Sequence, residues 1–179
     1  LKILIINGNP KAGNIAFDGY LRELTEKLER KGNSVSIAKL RELRVEYCTG
    51  CYSCWLKTPG VCAFKDDTPG LLKEFLKADL AVFASPVIMG FISALLKSFQ
   101  EKLITLVLPY FFVLDDRLQH VPRYEKYPAT VLLLEKEGAA DKSPEIIENI
   151  FRSARTRKLL FTRTMDTGVD EVANELNNI

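Results

Sequence analysis

LKILIINGNPKAGN, residues 1 to 14, opens on an apolar run from Lys2 to Ile6 and breaks at Asn7-Gly8-Asn9-Pro10. An uninterrupted Ile-rich run of this length is the pattern of a strand buried on both faces of a parallel sheet. Phe17, Tyr20, Leu21, Leu24 and Leu28 then recur at helical spacing, with Arg22, Glu23, Glu26, Lys27 and Glu29 between them. That is an amphipathic helix, closed at Lys31-Gly32-Asn33. A strand, a tight glycine turn and a helix in direct succession form the first half of a βαβ unit.

Working outward, the alternation repeats. Val35 to Ala38, Leu80 to Ser85, Ala129 to Leu134 and Leu159 to Thr162 read as four further strands. Helices are predicted at Leu71–Leu76, at Ile92–Leu103, from Ser143 with Pro144 through Ala154, and from about Thr167 to Leu176. Thr167 with Asp170 three residues on reads as the cap of the last one. Five strands alternating with helices predict an α/β, doubly wound, five-stranded parallel sheet within a single domain spanning residues 1–179. The segment of about residues 105–128 does not fit the alternation. It carries Tyr110, Phe111, Phe112, Tyr124 and Tyr127, with Asp115-Asp116 and Pro122, and reads as an inserted hairpin, lid or oligomer contact.

The composition is 47% apolar and 27% charged with a formal net charge of +2. That balance argues against a nucleic-acid partner or a membrane surface. No apolar run approaches the roughly 20 residues of a membrane span. The sequence opens on a strand without a leader pattern, so a cytoplasmic, reducing compartment is expected.

In an open α/β sheet the ligand lies beyond the carboxyl ends of the strands where strand order reverses. The loops at that point are Gly8–Asn14 and Ser85–Ser93. In the first, GNPKAGN leads straight into a helix N-terminus, a place that attracts phosphate, although a plain tight turn has the same composition. In the second, Pro86 stiffens the turn and Gly90 allows a flat ligand to approach the backbone. Ile88, Met89 and Phe91 there are equally compatible with core or subunit contacts.

All four cysteines fall in CTGCYSCWLKTPGVC, Cys48 to Cys62, with the spacing Cys-x2-Cys-x2-Cys-x7-Cys. A cubane cluster needs four thiolates converging from different directions, and successive x2 steps wrap a short chain around one of its faces. A zinc site built from the four cysteines, thiol redox chemistry and inert packed thiols are the alternatives. Tyr52 and Trp55 adjoin the thiols, where they can shield a cluster, stack on a flavin or simply pack in the core. His120, the only histidine, reads as an exposed loop residue, and Lys65-Asp66-Asp67 as a cap and turn before the helix at Thr68-Pro69. With one histidine, no hydrolytic triad can be assembled.

Taken in order, the strand ending in Gly-x-Pro-Lys-x-Gly-Asn, the Cys-x2-Cys-x2-Cys run followed by Lys65-Asp66-Asp67, and Ser85-Pro86-Val87-x-x-Gly90-x-x-Ser93-Ala94-x-x-Lys97 resemble the NAD(P)H-dependent FMN reductase family, and within it the iron–sulfur flavoprotein branch. The resemblance runs from the first strand to about Leu103. It implies a flavodoxin-like fold with strand order 2-1-3-4-5 and a homodimer or homotetramer that uses FMN, with NAD(P)H as a possible electron donor. By it, the FMN phosphate would sit on Asn9, Pro10, Lys11, Gly13, Asn14 and Ile15. The ring would lie on Ser85, Pro86, Val87, Ile88, Met89 and Gly90. Cys48, Cys51, Cys54 and Cys62 would hold a 4Fe–4S cluster that relays electrons to an acceptor.

The chain departs from that pattern at three residues of the first loop and in the loop after the fourth strand. Asn9, Lys11 and Ile15 stand where the family generally has Ser, Arg and Ser or Thr, and the loop after the fourth strand, LEKEGAAD, has Gly138 alone among acidic residues. The two alternatives in function are an NAD(P)H-dependent flavin or quinone reductase without a cluster, and a flavin-less, metal-stabilised interaction domain.

Overall fold

The structure, a computed structural model, describes residues 1–114, 117–138, 141–152 and 158–179, without the side chains of 117 and 152. Its elements are β1 (Lys2–Asn7), α1 (Ile15–Arg30), β2 (Ser34–Lys39), α2 (Ser53–Leu56), α3 (Thr68–Lys77), β3 (Leu80–Ile88), β4 (Phe91–Ile92), α4 (Ala94–Lys102), β5 (Val107–Leu114), β6 (Arg117–Pro122), β7 (Ala129–Glu135), α5 (Ser143–Arg152), β8 (Leu159–Thr164) and α6 (Val169–Asn177). Asp115-Asp116 and Ala154 lie outside the described residues.

The central sheet has the order β2-β1-β3-β7-β8, with every pairing along that path parallel. This is the flavodoxin-like 2-1-3-4-5 arrangement, counting only the parallel strands. Side chains alternate across the central strands and divide the core in two. Ile3, Ile5, Leu80, Val82, Val131 and Leu133 face α1 and α6, meeting Phe17, Leu21, Leu24, Val172 and Leu176. Leu4, Ile6, Ala81, Phe83, Leu132 and Leu134 face α3, α4 and α5. There Phe83 packs edge-on to Phe75 and Phe151 at centroid distances of 6.1 and 5.6 Å. Each such buried side chain contributes about 1.5–3 kcal/mol.

Gly8 ends β1 and fixes how closely the sheet meets α4. A Cβ there would stand 2.7 Å from Leu96 Cβ and 3.1 Å from the Ala84 carbonyl oxygen. The contact is latched by Ser93, whose Oγ donates to Gly8 O at 2.5 Å and accepts from Leu96 N at 3.2 Å as the α4 N-cap.

Local readings differ from the sequence expectations at several points, Ile92 among them, which lies on β4 ahead of α4. β3 runs past Ser85 to Ile88 and folds back on β4 as a short antiparallel hairpin. The last helix starts at Val169 with Gly168 as N-cap, because Thr167 N closes a turn on Thr164 O and Asp170 pairs with Lys27 at 2.6 Å. Asp67 makes no side-chain cap to α3; it accepts from Arg44 N, while Asp66 accepts from Thr68 N. His120 is not an exposed loop residue. It sits half-buried on β6, its ring 5.2 Å from that of Trp55 and 4.3 Å from that of Phe111.

The segment that breaks the alternation is the antiparallel pair β5–β6. A lone two-stranded ribbon is marginal in water and needs something to pack against. Trp55 Nε1 donates to Val107 O, which pins the ribbon to the cysteine loop. Tyr127 OH donates to Leu106 O and accepts from Arg123 N, closing its base.

Candidate functional site

Two groups of residues, at opposite ends of α4, carry chemistry. The first lies beyond β1, β3 and β7. Asn9 is buried and folds the first loop on itself, its Oδ1 accepting from Lys11 N and its Nδ2 donating to Lys11 O, both at 2.9 Å. Beneath it Asp18 accepts from Asn7 Nδ2 at 2.9 Å and from Arg41, whose guanidinium also reaches Asn9 O at 3.3 Å. Burial works against the Asp18 charge, but the Asn7 and Arg41 contacts prevail and hold its carboxyl below the ordinary value. Asn9 is therefore a structural member of the loop, with its side chain spent inside it.

Pro10, Lys11 and Gly13 are exposed, and nothing lies within 4 Å of where a Gly13 Cβ would be. Asn14 caps α1 through Phe17 N at 3.2 Å, while its amide donates to Glu135 Oε2 at 2.8 Å. Ile15 is 75% exposed and offers no hydroxyl.

The second loop is a rigid apolar edge. Ser85 is buried and accepts from Ser93 N at 2.9 Å, so it braces the turn from within. Val87 is buried, Ile88 is partly exposed and Met89 is 94% exposed. Met89 and Gly90 both have positive φ, 52° and 77°. Two consecutive positive-φ residues make the tight turn between β3 and β4, a setting that favours Asn-Gly over Met-Gly. Met89 N donates to Glu137 Oε1 at 3.0 Å. An exposed helix N-terminus carrying a lysine, beside an apolar ledge, suits a phosphate joined to a flat ring, so the donor set fits FMN. Glu135, held on the Asn14 amide, opposes a phosphate there.

The second group is the cysteine loop. Its two ends are tied together by carboxylates: Asp67 Oδ2 accepts from Arg44 N at 2.7 Å and Asp66 Oδ2 from Glu46 N at 3.0 Å. Within the loop Gly50, Tyr52 and Gly60 adopt left-handed backbone, with φ of 68°, 55° and 81°, and these reversals turn the short chain back on itself. Cys48, Cys51, Cys54 and Cys62 all line one cavity, with Phe64, Lys102 and Thr105 completing its wall. Its volume is about 20 Å³, room for about one water. No three of the described His, Cys, Asp and Glu side chains are set to hold a single metal ion.

Burial, and after it the other three thiols, push the Cys54 thiol up. Contacts with Ser53 lower that of the exposed Cys51. Lys102, at the end of α4, is 1% exposed. Its Nζ lies 3.1 Å from Cys62 Sγ, 3.3 Å from Asp66 Oδ2 and 5.1 Å from the Phe64 ring centre. Burial opposes its charge, but Cys62 and Asp66 outweigh that and raise its pKa. The sequence reading missed Lys102. Its signal was a lysine three residues after Phe99, on the apolar stripe of an amphipathic helix. Lys97, part of the quoted motif, is on the surface and pairs with Glu101.

Fold and site together define a flavodoxin-like α/β protein with an exposed turn and apolar ledge beyond its central strands and a thiol-lined cavity at the far end of α4. The family model for NADPH-dependent FMN reductase matches residues 1–110, and the chain belongs to that family. An iron–sulfur flavoprotein of Methanocaldococcus jannaschii is 30% identical over 103 residues, 57% of this chain and 51% of that protein. An iron–sulfur flavoprotein of Archaeoglobus fulgidus is 33% identical over 113 residues, 62% of this chain and 47% of that protein. The chain thus spans about half the length of the curated relatives it matches. The crystal structure of an azoreductase from Bacillus anthracis superposes with a TM-score of 0.65 at 15% identity, over 99% of each chain, a likeness of fold.

Proposed function

We propose that this chain is an FMN-dependent oxidoreductase in which Cys48, Cys51, Cys54 and Cys62 hold a 4Fe–4S cluster that passes electrons to an acceptor. The observation that carries the reading is that four sulfurs line one cavity on a chain of this flavin family. α4 links the two places: Ser93 at its start touches Gly8 and Ser85, and Lys102 at its end touches Cys62. Nine helical residues at about 1.5 Å each separate these ends by roughly 13 Å.

Lys11 and the first turn of α1 would bind the phosphate; Ile88, Met89 and the Gly90 backbone would bear on the ring and keep water from that face. Bound there, the flavin supplies two-electron exchange with NAD(P)H or a protein donor, and release of electrons one at a time. Asp18 and Arg41 hold the loop in shape. Tyr52 and Trp55 stack at 5.3 Å beside the thiols. We place the chain in the cytoplasm, as a homodimer or homotetramer built over the exposed apolar side chains of the ribbon, Tyr110, Phe111, Val113 and Leu118.

The test is purification without oxygen, followed by iron, sulfide and flavin analysis and a visible spectrum. Flavin bands with a broad shoulder that bleaches on reduction, and about four iron per chain, support the reading. A colourless preparation without iron or flavin overturns it. The second reading, an NAD(P)H-dependent flavin or quinone reductase without a cluster, is favoured by the small volume of the thiol cavity. It expects flavin alone and NAD(P)H oxidation that survives replacement of Cys54 by Ala.

A further inference from the structure

Among the described residues Lys102 is the only lysine or arginine enclosed in the core, and it is enclosed against a wall of cysteines. A buried ammonium costs several kcal/mol unless it is paired, and Asp66, with a fully buried side chain, supplies one partner. That pair does not account for the arrangement. Asp66 already accepts from the backbone of Glu46 and Thr68, so the loop ends are held without the lysine. An ammonium has donors only, and one is spent on Cys62 Sγ at 3.1 Å. The geometry therefore sets a fixed positive charge against a sulfur of the cavity where negative charge collects.

We propose that Lys102 is a positioning residue for a redox centre held by the four thiolates: it orients Cys62 and offsets the negative charge added when that centre accepts an electron. The inference rests on the cluster reading above. Each electron entering makes the cavity one unit more negative, and a nearby fixed cation in a poorly solvated setting eases that step. Asp66 acts in the opposite sense, so the two substitutions carry opposite signs.

The test is potentiometric titration of anaerobically loaded protein, dithionite being the reductant and the visible bleaching and electron paramagnetic resonance signal the readout. In K102M the reduced-to-oxidised ratio at fixed potential is expected to fall at least tenfold, about 59 mV for a one-electron couple. In D66N, which removes the charge and keeps one of the two side-chain acceptors used by Glu46 N and Thr68 N, the ratio is expected to rise. A K102M ratio within threefold of the parent overturns the inference, as does a D66N ratio that stays put or falls. If K102M does not load, D66N decides alone. A parent protein that takes up no iron overturns this inference together with the cluster reading; a loaded parent with unmoved variants overturns only the role of Lys102.

Discussion

Glu135 puts a carboxylate 2.8 Å from the side-chain amide of Asn14, at the end of α1 where a phosphate would be received. A negative group there satisfies the helix N-terminus and competes with any anion for it. Glu135→Gln keeps an acceptor for Asn14 and removes the charge. FMN is expected to bind roughly three- to tenfold more tightly to E135Q, the scale of about 1 kcal/mol for a partly exposed charge contact. Riboflavin, which lacks the phosphate, should bind unchanged; quenching of flavin fluorescence reads both, and equal gains for the two ligands would place the effect elsewhere. Asp18 supports the same loop from below, with Arg41 2.6 Å away. Its folded pKa lies under the ordinary 3.8, so the unfolded chain binds the proton first as pH falls. The stabilisation is complete above the unfolded value and is lost as pH drops through the folded one. Asp18→Asn should lower stability at pH 7 by about 2 kcal/mol and flatten the acid limb below about pH 4, as measured by urea unfolding across pH.

At the scale of elements, the turn between β3 and β4 holds backbone strain. A non-glycine residue in left-handed backbone costs about 1–2 kcal/mol, and Met89 does so while 94% exposed. Met89→Asn is expected to stabilise the protein by about 0.5–1 kcal/mol and to weaken both FMN and riboflavin severalfold by removing apolar surface. A denaturant midpoint that falls would show the turn to be relaxed as it stands. This hairpin was illegible beforehand because its turn residues are not the usual ones, whereas β1, β3 and β7 were legible because strands buried on both faces need continuous apolar runs. α6 was displaced by two residues for a related reason: Thr167 and Asp170 have cap chemistry, but tertiary partners claim them. The gathering of the cysteines was legible from spacing alone. Lys102 and the carboxylates tying the loop ends were not, since contacts across 40 and 20 residues leave no local pattern.

Across the whole molecule, the two groups of residues relate differently to stability. The ligand edge grows from the ends of β1, β3 and β7, the three inner strands of the sheet, so anything bound there is felt by global unfolding. The cysteine loop is joined to the core by Asp66, Asp67 and Lys102 at its ends, and a change inside it can open locally. Free flavin at a hundred times its dissociation constant adds about 2.7 kcal/mol to the folded state. For a chain of this size that corresponds to a rise in Tm of roughly 5–10 °C. FMN should produce this rise in thermal melts, and riboflavin at the same concentration a smaller one, because Lys11 and the α1 N-terminus then have no phosphate to hold. Blocking the four thiols in the metal-free chain should leave the FMN-dependent rise intact, since neither loop of the ligand edge contains a cysteine. A Tm indifferent to FMN would sink the flavin assignment at the level of the fold, and a rise abolished by thiol blocking would show that the two ends of α4 act as one site.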